Sequence, residues 1–337
     1  MRQVVCFLLL SAVLTGCKRT TPPIDDAKAS PAAEAEPDPR DPIERLSDKI
    51  AENPNDPSLY RQRATHYFQA KEYGLALEDY STALDLAPNA ETFYNRGVAY
   101  TSAENPDKAL DDYTEAVRRD PKFVSAYFNR GVLLHRMGQT VEAIKDLDRV
   151  LAIETKDPHA LFNRGIFYMD SGLTEKALVD FDAALAVKAD FVEVYINRGY
   201  TYHLRNEFQS AIKDFNKAIQ LAPMNQLAHA NRGAAQHKLG NFDKAIADFS
   251  QAIHIDNNDP QIFNQRGQAY ASLKDWQKAL RDFSLAITLS PKYAAAYRNR
   301  GQVYHEMNEP ALAAADFREA MTIEPTRVDA IPASYRK

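Results

Sequence analysis

An all-α solenoid of helix–turn–helix repeats is the fold class that this 337-residue sequence predicts, and three observations predict it. The tripeptide Asn-Arg-Gly, or a near variant, returns every 34 residues. It stands at Asn95-Arg96-Gly97, Asn129-Arg130-Gly131, Asn163-Arg164-Gly165, Asn197-Arg198-Gly199, Asn231-Arg232-Gly233, Gln265-Arg266-Gly267 and Asn299-Arg300-Gly301. Gln62-Arg63-Ala64 opens the series one residue closer to its neighbour. Within one period, Tyr127, Gly131 and Leu134 and then Ala143, Leu147 and Val150 recur at spacings of four and three, the stripe of a helix turning about 100° per residue. Between the two stripes stands Gly138, and the same slot holds Gly172, Asn206, Gly240 and Asn308, residues that tolerate the left-handed end of a helix. Pro121, Pro223, Pro291 and Pro325 stop the second helix. A strict period of this size means that each unit buries its apolar face only against the next.

The N-terminus reads differently. Arg2 supplies a minimal positive region, and Val4 to Val13 is an apolar stretch of about ten residues, too short to span a bilayer but suited to a secretory signal. Residues 1–16 are therefore expected to be a signal peptide. The segment ends in Leu14-Thr15-Gly16-Cys17, which resembles a bacterial lipobox. That resemblance implies cleavage before Cys17 and lipidation of the cysteine; an ordinary signal with a chance cysteine is the alternative. The sequence has two cysteines and Cys6 lies in the signal, so no disulfide is expected within the mature monomer. Several acyl chains on one residue anchor firmly, where a single chain binds marginally. By resemblance to enteric lipoproteins, in which Asp at the next position retains the protein in the inner membrane, Lys18 favours the outer membrane, facing the periplasm. Residues 17–42 carry the cysteine and then six prolines among alanine and acidic residues, without an aromatic, and are expected to be a disordered tether. Its reach is roughly 80 Å if polyproline-like and about 25–30 Å as a coil.

Residues 43–56 read as an N-terminal half-repeat helix. Eight units follow, 57–89, 90–123, 124–157, 158–191, 192–225, 226–259, 260–293 and 294–327, and then a tail, 328–337. The tripeptide glycine falls mid-helix, where it costs about 1 kcal/mol against alanine. Only close helix–helix approach offsets that cost. The second helices agree: Ala76, Ala109, Ala143, Ala177, Ala211, Ala245, Ala279 and Ala313 form one small-residue slot. Four residues on stand Tyr80, Tyr113, Leu147, Phe181, Phe215, Phe249, Phe283 and Phe317. An aromatic, then Gly, then Tyr on one helix, with Ala, an aromatic, Ala and Pro after it, resembles the tetratricopeptide repeat over nearly all of the mature chain. The resemblance implies a right-handed superhelix (TPR) whose first helices line a concave, ligand-holding groove. One departure is consistent: the family's usual leucine before glycine is arginine in all eight units.

Sixteen residues after each of these arginines stands an aspartate. Arg130 with Asp146, Arg164 with Asp180 and Arg198 with Asp214 exemplify the pairing, expected to be a charge-assisted clamp between helices. An anion-binding stripe is the alternative. The asparagines before the arginines, Asn95, Asn129, Asn163, Asn197 and Asn231, project away from the core stripe and are expected to face the groove. Such a row resembles the ladder in the superhelical repeats of O-linked N-acetylglucosamine transferase, which holds peptide backbone. An amide offers both donor and acceptor. A cap or inter-repeat hydrogen bond without ligand is the equal alternative.

The groove rows are not uniform. Units two to five present Tyr94 and Val98, Phe128 and Val132, Phe162 and Ile166, Ile196 and Tyr200; units six to eight present Ala230 and Ala234, Asn264 and Gln268, Arg298 and Gln302. The contrast suggests a mixed or amphipathic peptide anchored in units two to five. Alternatively, these aromatics fill contacts between neighbouring first helices. Only Arg61 and Arg298 put cations in the rows, so the carboxylate clamp of chaperone-binding relatives is not expected.

His135, His203, His237 and His305 share one groove-facing slot. Metal ligands must lie within about 2 Å of the ion, and equivalent residues of adjacent repeats are much farther apart, so no metal is expected. There is no phosphate loop, nucleophile elbow or paired zinc motif, hence no cofactor and no enzyme. A net charge of −5 with interspersed Lys and Arg gives no reason to expect nucleic acid. The last unit carries Leu312, Phe317, Met321 and Ile323 without an evident capping helix; either Val328, Ile331 and Tyr335 fold over it or it is a self-association site. The chain is thus expected to be a non-enzymatic, lipid-anchored adaptor of the bacterial envelope, holding a protein or peptide in its groove. It resembles tetratricopeptide lipoproteins that act as pilotins in pilus or secretin assembly or as adaptors for peptidoglycan hydrolases. The alternative is recognition of peptidoglycan or another envelope carbohydrate, with groove aromatics stacking on sugars.

Overall fold

The computed structural model describes residues 41–336; the expected signal, Cys17, Lys18 and nearly all of the tether lie outside the described residues. Among the described residues there are 17 α-helices and two short 3-10 turns, and no strand. Helix α1 (Pro42–Glu52) is followed by first and second helices in pairs. These are α2 (Pro57–Gln69) and α3 (Tyr73–Leu86), α4 (Ala90–Ser102) and α5 (Pro106–Arg119), α6 (Val124–Arg136) and α7 (Thr140–Ile153), and α8 (Pro158–Asp170) and α9 (Thr174–Val187). Then come α10 (Val192–Leu204) and α11 (Phe208–Leu221), α12 (Gln226–Lys238) and α13 (Phe242–Ile255), α14 (Pro260–Ser272) and α15 (Trp276–Leu289), and α16 (Ala294–Glu306) and α17 (Pro310–Ile323). Residues 41–187 form one compact unit and residues 188–336 a second.

Local signals start and stop these helices. Asp56 accepts from the Ser58 amide at 2.8 Å with Pro57 behind it, and Asn89 accepts from the Thr92 amide at 2.8 Å. First helices end in a left-handed residue: Gly138, Gly172 and Gly240 have φ of 80°, 76° and 78°, and Asn206 and Asn308 follow suit at 62° and 61°. The amide after Gly172 reaches back from Leu173 to the Tyr168 carbonyl at 2.8 Å, closing the turn. Three units place Lys71, Glu104 and Lys274 in that conformation, at 63°, 56° and 59°, which no turn-forming residue announced.

Tertiary packing explains the tripeptide glycine. A Cβ on Gly165 would stand 2.7 Å from the Phe181 ring, and one on Gly199 would stand 2.8 Å from Phe215. Where the knob is Leu147, a Cβ on Gly131 would instead meet the Ala143 carbonyl oxygen at 3.2 Å. The knobs from Tyr80 to Phe317 are all buried.

Beside each close approach sits the ion pair. Arg130 donates from Nε to Asp146 Oδ2 at 2.8 Å and from Nη2 to Oδ1 at 2.7 Å. Arg164 grips Asp180 and Arg198 grips Asp214 through the same two-pronged fork, as do the arginines of the other five units. All eight aspartates are buried. In Arg96, Arg130, Arg164, Arg232, Arg266 and Arg300 the third nitrogen reaches the second helix of the preceding repeat. Arg96 Nη1 donates to Ser81 Oγ at 3.0 Å, Arg164 to Asp148 Oδ1 at 2.6 Å, Arg232 to Asn216 Oδ1 at 2.7 Å and Arg300 to Ser284 Oγ at 3.0 Å. Arg63 does the same to Ser47 on α1 at 2.9 Å, so α1 takes the place that a second helix holds before each later unit. This acceptor row is a Ser/Thr/Asp/Asn series legible at the repeat period, and the sequence reading overlooked it. With three nitrogens engaged internally, these seven arginines do not form an open anion-binding stripe.

The tail closes over the last unit. Ile331 is buried against Ala313 and Phe317, the Tyr335 ring lies 5.0 Å from Phe317, and Arg336 Nε donates to the Ile331 carbonyl at 2.7 Å.

Asp146→Ala should cost more stability than Asp180→Ala, because Arg164 keeps Asp148 while Arg130 keeps only Thr114 at 3.3 Å. Losses of about 3 kcal/mol, smaller for Asp180→Ala, are expected in urea unfolding; equal stability to wild type in both would show that the forks do not hold the fold. Gly172→Ala should cost about 1 kcal/mol in the same assay, whereas Lys274→Gly should be stabilising by up to about 1 kcal/mol.

Candidate functional site

The side chains expected to anchor a ligand are interior. Tyr94, Phe128, Phe162, Ile166 and Tyr200 are each at most 5% exposed. Tyr94 packs 5.0 Å from Phe123 and 5.9 Å from Tyr113, and Phe162 lies 6.1 Å from Phe181. They are packing residues, and the expectation that they line an open groove is corrected. A wheel drawn on one helix cannot show that the unit's own second helix, through Tyr113 or Phe181, packs on the same face.

The asparagine row is corrected in the same way. Asn95, Asn163, Asn197 and Asn231 are buried and Asn129 is half-buried. Asn129 Nδ2 donates to Tyr94 Oη at 3.1 Å, tying adjacent units. Asn163 and Asn197 donate to carbonyls of their own helix, those of His159 and Glu193, each at 2.8 Å. Of the alternative weighed above, Asn129 shows the inter-repeat bond, while Asn163 and Asn197 bond within their own helix. Asn231 Nδ2 and Asn197 Oδ1 are buried without a hydrogen-bond partner among the described residues.

Space opens farther along, wholly within residues 188–336. A recess of about 720 Å³ lies on the first-helix face of units six to eight. Its origin is one slot, the residue after the tripeptide glycine. That slot holds buried Val98, Ile166 and Tyr200 in units two, four and five, but Ala234, Gln268 and Gln302 in units six to eight, none of them buried. Bulky side chains seal the face, and small or polar ones leave it open. Asn264 and Asn299 border the recess and are joined, Asn299 Nδ2 donating to Asn264 Oδ1 at 2.8 Å. Asn264 in turn donates to Tyr293 Oη at 3.4 Å. Burial, with the Asp259 charge adding to it, pushes the Tyr293 phenol up to about 12, so this hydroxyl stays protonated. Arg298 is held by Glu324 at 2.7 Å. The lining therefore offers amide donors and acceptors beside limited apolar surface, suited to peptide-like groups.

The four slot-sharing histidines are partnered separately. His135 Nε2 stands 3.0 Å from Asp170 Oδ2, and His305 Nδ1 stands 3.1 Å from Tyr335 Oη. His203 stacks on Tyr200 at 6.4 Å and meets Phe208 edge-on at 5.2 Å. Burial, and then the Lys238 charge, push His203 down to about 4, and the same two causes lower His237. No group of three metal-ligating side chains forms among the described residues.

Comparison with known proteins agrees on one repeat. Tetratricopeptide repeat family models match residues 90–123, 112–145 and 267–333, and a TPR repeat model matches 199–240 and 237–274. Small glutamine-rich tetratricopeptide repeat-containing protein 2 of Mycosarcoma maydis is 42% identical over 59 residues, 17% of this chain and 17% of that protein. Serine/threonine-protein phosphatase 5 of Homo sapiens is 38% identical over 68 residues, 20% of this chain and 14% of that protein. The chain thus spans less than a fifth of either relative. A crystal structure of a tetratricopeptide repeat protein from Parabacteroides merdae matches with a TM-score of 0.59 at 23% identity, over 72% of this chain and 95% of the other, a likeness of fold.

The depressed histidine sets a pH dependence. His203 binds protons less readily folded, at about 4, than at its ordinary 6.5, so its contribution is present above 6.5 and is lost as pH falls from 6.5 through 4. His203→Gln should shrink the stability difference between pH 7.5 and 4.5 by about 2 kcal/mol in urea unfolding. An unchanged difference would show that His203 is no such proton-linked site.

Proposed function

We propose that this chain, which carries tetratricopeptide repeats folded as an all-α array, is a non-enzymatic protein-interaction scaffold. It holds a peptide or protein segment against the first-helix face of units six to eight. The observation that carries this reading is the recess of about 720 Å³ bordered by amides, in units whose slot after the tripeptide glycine holds Ala234, Gln268 and Gln302 where units two, four and five hold buried Val98, Ile166 and Tyr200. Extended backbone presents alternating donors and acceptors, and the amides of Gln268 and Gln302, the latter also donating to Glu306 at 2.9 Å, offer both kinds at the recess.

The same reading places the scaffold at a bacterial membrane. Leu14-Thr15-Gly16-Cys17 supports a lipid anchor on Cys17, and Lys18 supports the outer membrane as its home. A tethered array of this kind serves as an adaptor for envelope machinery, in pilus or secretin assembly or for peptidoglycan enzymes. Trp276 on the recess wall favours a second reading, in which an envelope carbohydrate stacks there.

Capture from envelope extract by the full mature chain tests both readings. Gln268→Ala/Gln302→Ala, which changes exposed or half-exposed side chains, should reduce protein capture at least tenfold without lowering Tm. Equal capture by the variant would remove the recess from the function, and retention of purified peptidoglycan with no protein would favour the carbohydrate. Cys17→Ala should move the protein from the membrane to the soluble fraction; continued membrane association would remove the lipid anchor.

A further inference from the structure

Units five and six differ at one position with a specific consequence. In unit five, Tyr200 stacks on His203, the two rings 6.4 Å apart and 10° from parallel, while Phe208 meets the imidazole edge-on at 5.2 Å. Unit six repeats this surrounding. His237 occupies the His203 slot, and Phe242, equivalent to Phe208, meets it edge-on at 5.2 Å. The residue equivalent to Tyr200 is Ala234, and both Ala234 and His237 line the recess. Both imidazoles border the recess, but His203, beside Tyr200, is buried, whereas His237, beside Ala234, is only half-buried.

Charge narrows the occupant further. Lys238, next to His237, is exposed and lines the recess together with Arg298 and Arg327, against Glu306 as the one acid of the lining. Glu324 holds both arginines, at 2.7 Å and 3.1 Å, and none of the hydrogen bonds or ion pairs described among residues 41–336 engages the Lys238 ammonium. In a chain with net charge −5, this wall is locally cationic.

We infer that the recess takes an aromatic side chain of an extended acidic peptide, its ring stacked on His237 above Ala234 and a neighbouring carboxylate paired with Lys238. The inference rests on the scaffold reading above and adds the chemistry of the partner. Ring stacking of this kind supplies a central anchor, while the ion pair at the rim adds selectivity and encounter rate. The burial that keeps His237 neutral leaves its face suited to an aromatic ring.

Selection of phage-displayed random dodecapeptides on the full mature chain tests it. The expected consensus has Phe, Tyr or Trp at one position and Asp or Glu within three residues of it. Ala234→Tyr, which supplies internally the ring that unit five has, should abolish binding of the selected peptides, with helicity and Tm checked in parallel. Lys238→Glu, at an exposed position, should weaken the same peptides at least fivefold by fluorescence anisotropy, and this holds as the test if Ala234→Tyr fails to fold. A consensus without an aromatic, or peptides that bind Ala234→Tyr or Lys238→Glu as well as wild type, would overturn the inference. If such peptides still depend on Gln268 and Gln302, the scaffold reading survives without it. Enrichment of no peptide would overturn both.

Discussion

One guanidinium per unit sets the geometry on which the rest of this molecule depends. Two of its nitrogens fork onto a buried aspartate of the same unit, and in units one to four and six to eight the third reaches the preceding second helix, so that one side chain fixes three helices. A buried charge is tolerable only when paired and hydrogen-bonded on all sides, and this one is. Beside the fork stands the tripeptide glycine. The approach that lets Phe249 lie on Gly233 and Phe317 on Gly301 brings the Asp248 and Asp316 Cβ atoms within 3.2 Å of where a side chain on either glycine would begin. Unit one carries Ala64 at this place and still forms the Arg63–Asp79 fork, so in the other units the glycine serves the close approach of the ring and is not a condition of the ion pair.

With the scaffold held by invariant positions, the slots it does not use are free to differ between units, and function has room there. The difference that matters is volume. Tyr94, Phe128 and Phe162 looked like a ligand-binding stripe and are instead buried, Tyr94 and Phe162 against the knobs Tyr113 and Phe181 of their own second helices. Ala234, Gln268 and Gln302 looked featureless and are where the face stays open. Adhesive residues in a row of identical helices first adhere to one another, so binding capacity appears where they stop.

Both ends of the described array are finished by different means. At the start, α1 supplies Leu46 and Ile50 as a buried face and Ser47 as the acceptor for Arg63. At the other end, Ile331 and Tyr335 cover Phe317 without another α-helix, Tyr335 closing a single 3-10 turn that Pro332 opens. Each device hides apolar surface that an internal unit would bury against its neighbour.

By itself the sequence determined the repeat, the helix pairs, the glycine contact and the partner of every arginine, because each is written at a constant spacing and repeated until chance is excluded. Turn positions were legible where Gly or Asn marks them and illegible at Lys71, Glu104 and Lys274, where neighbouring helices impose a conformation their residues do not prefer. Only the tertiary structure decided which asparagines are consumed internally, where the third arm of each arginine goes and which half of the first-helix face is open. Those outcomes depend on what the adjacent unit places over a side chain. A helical period specifies the direction in which a residue points, but not whether that direction leads to solvent or into the next helix.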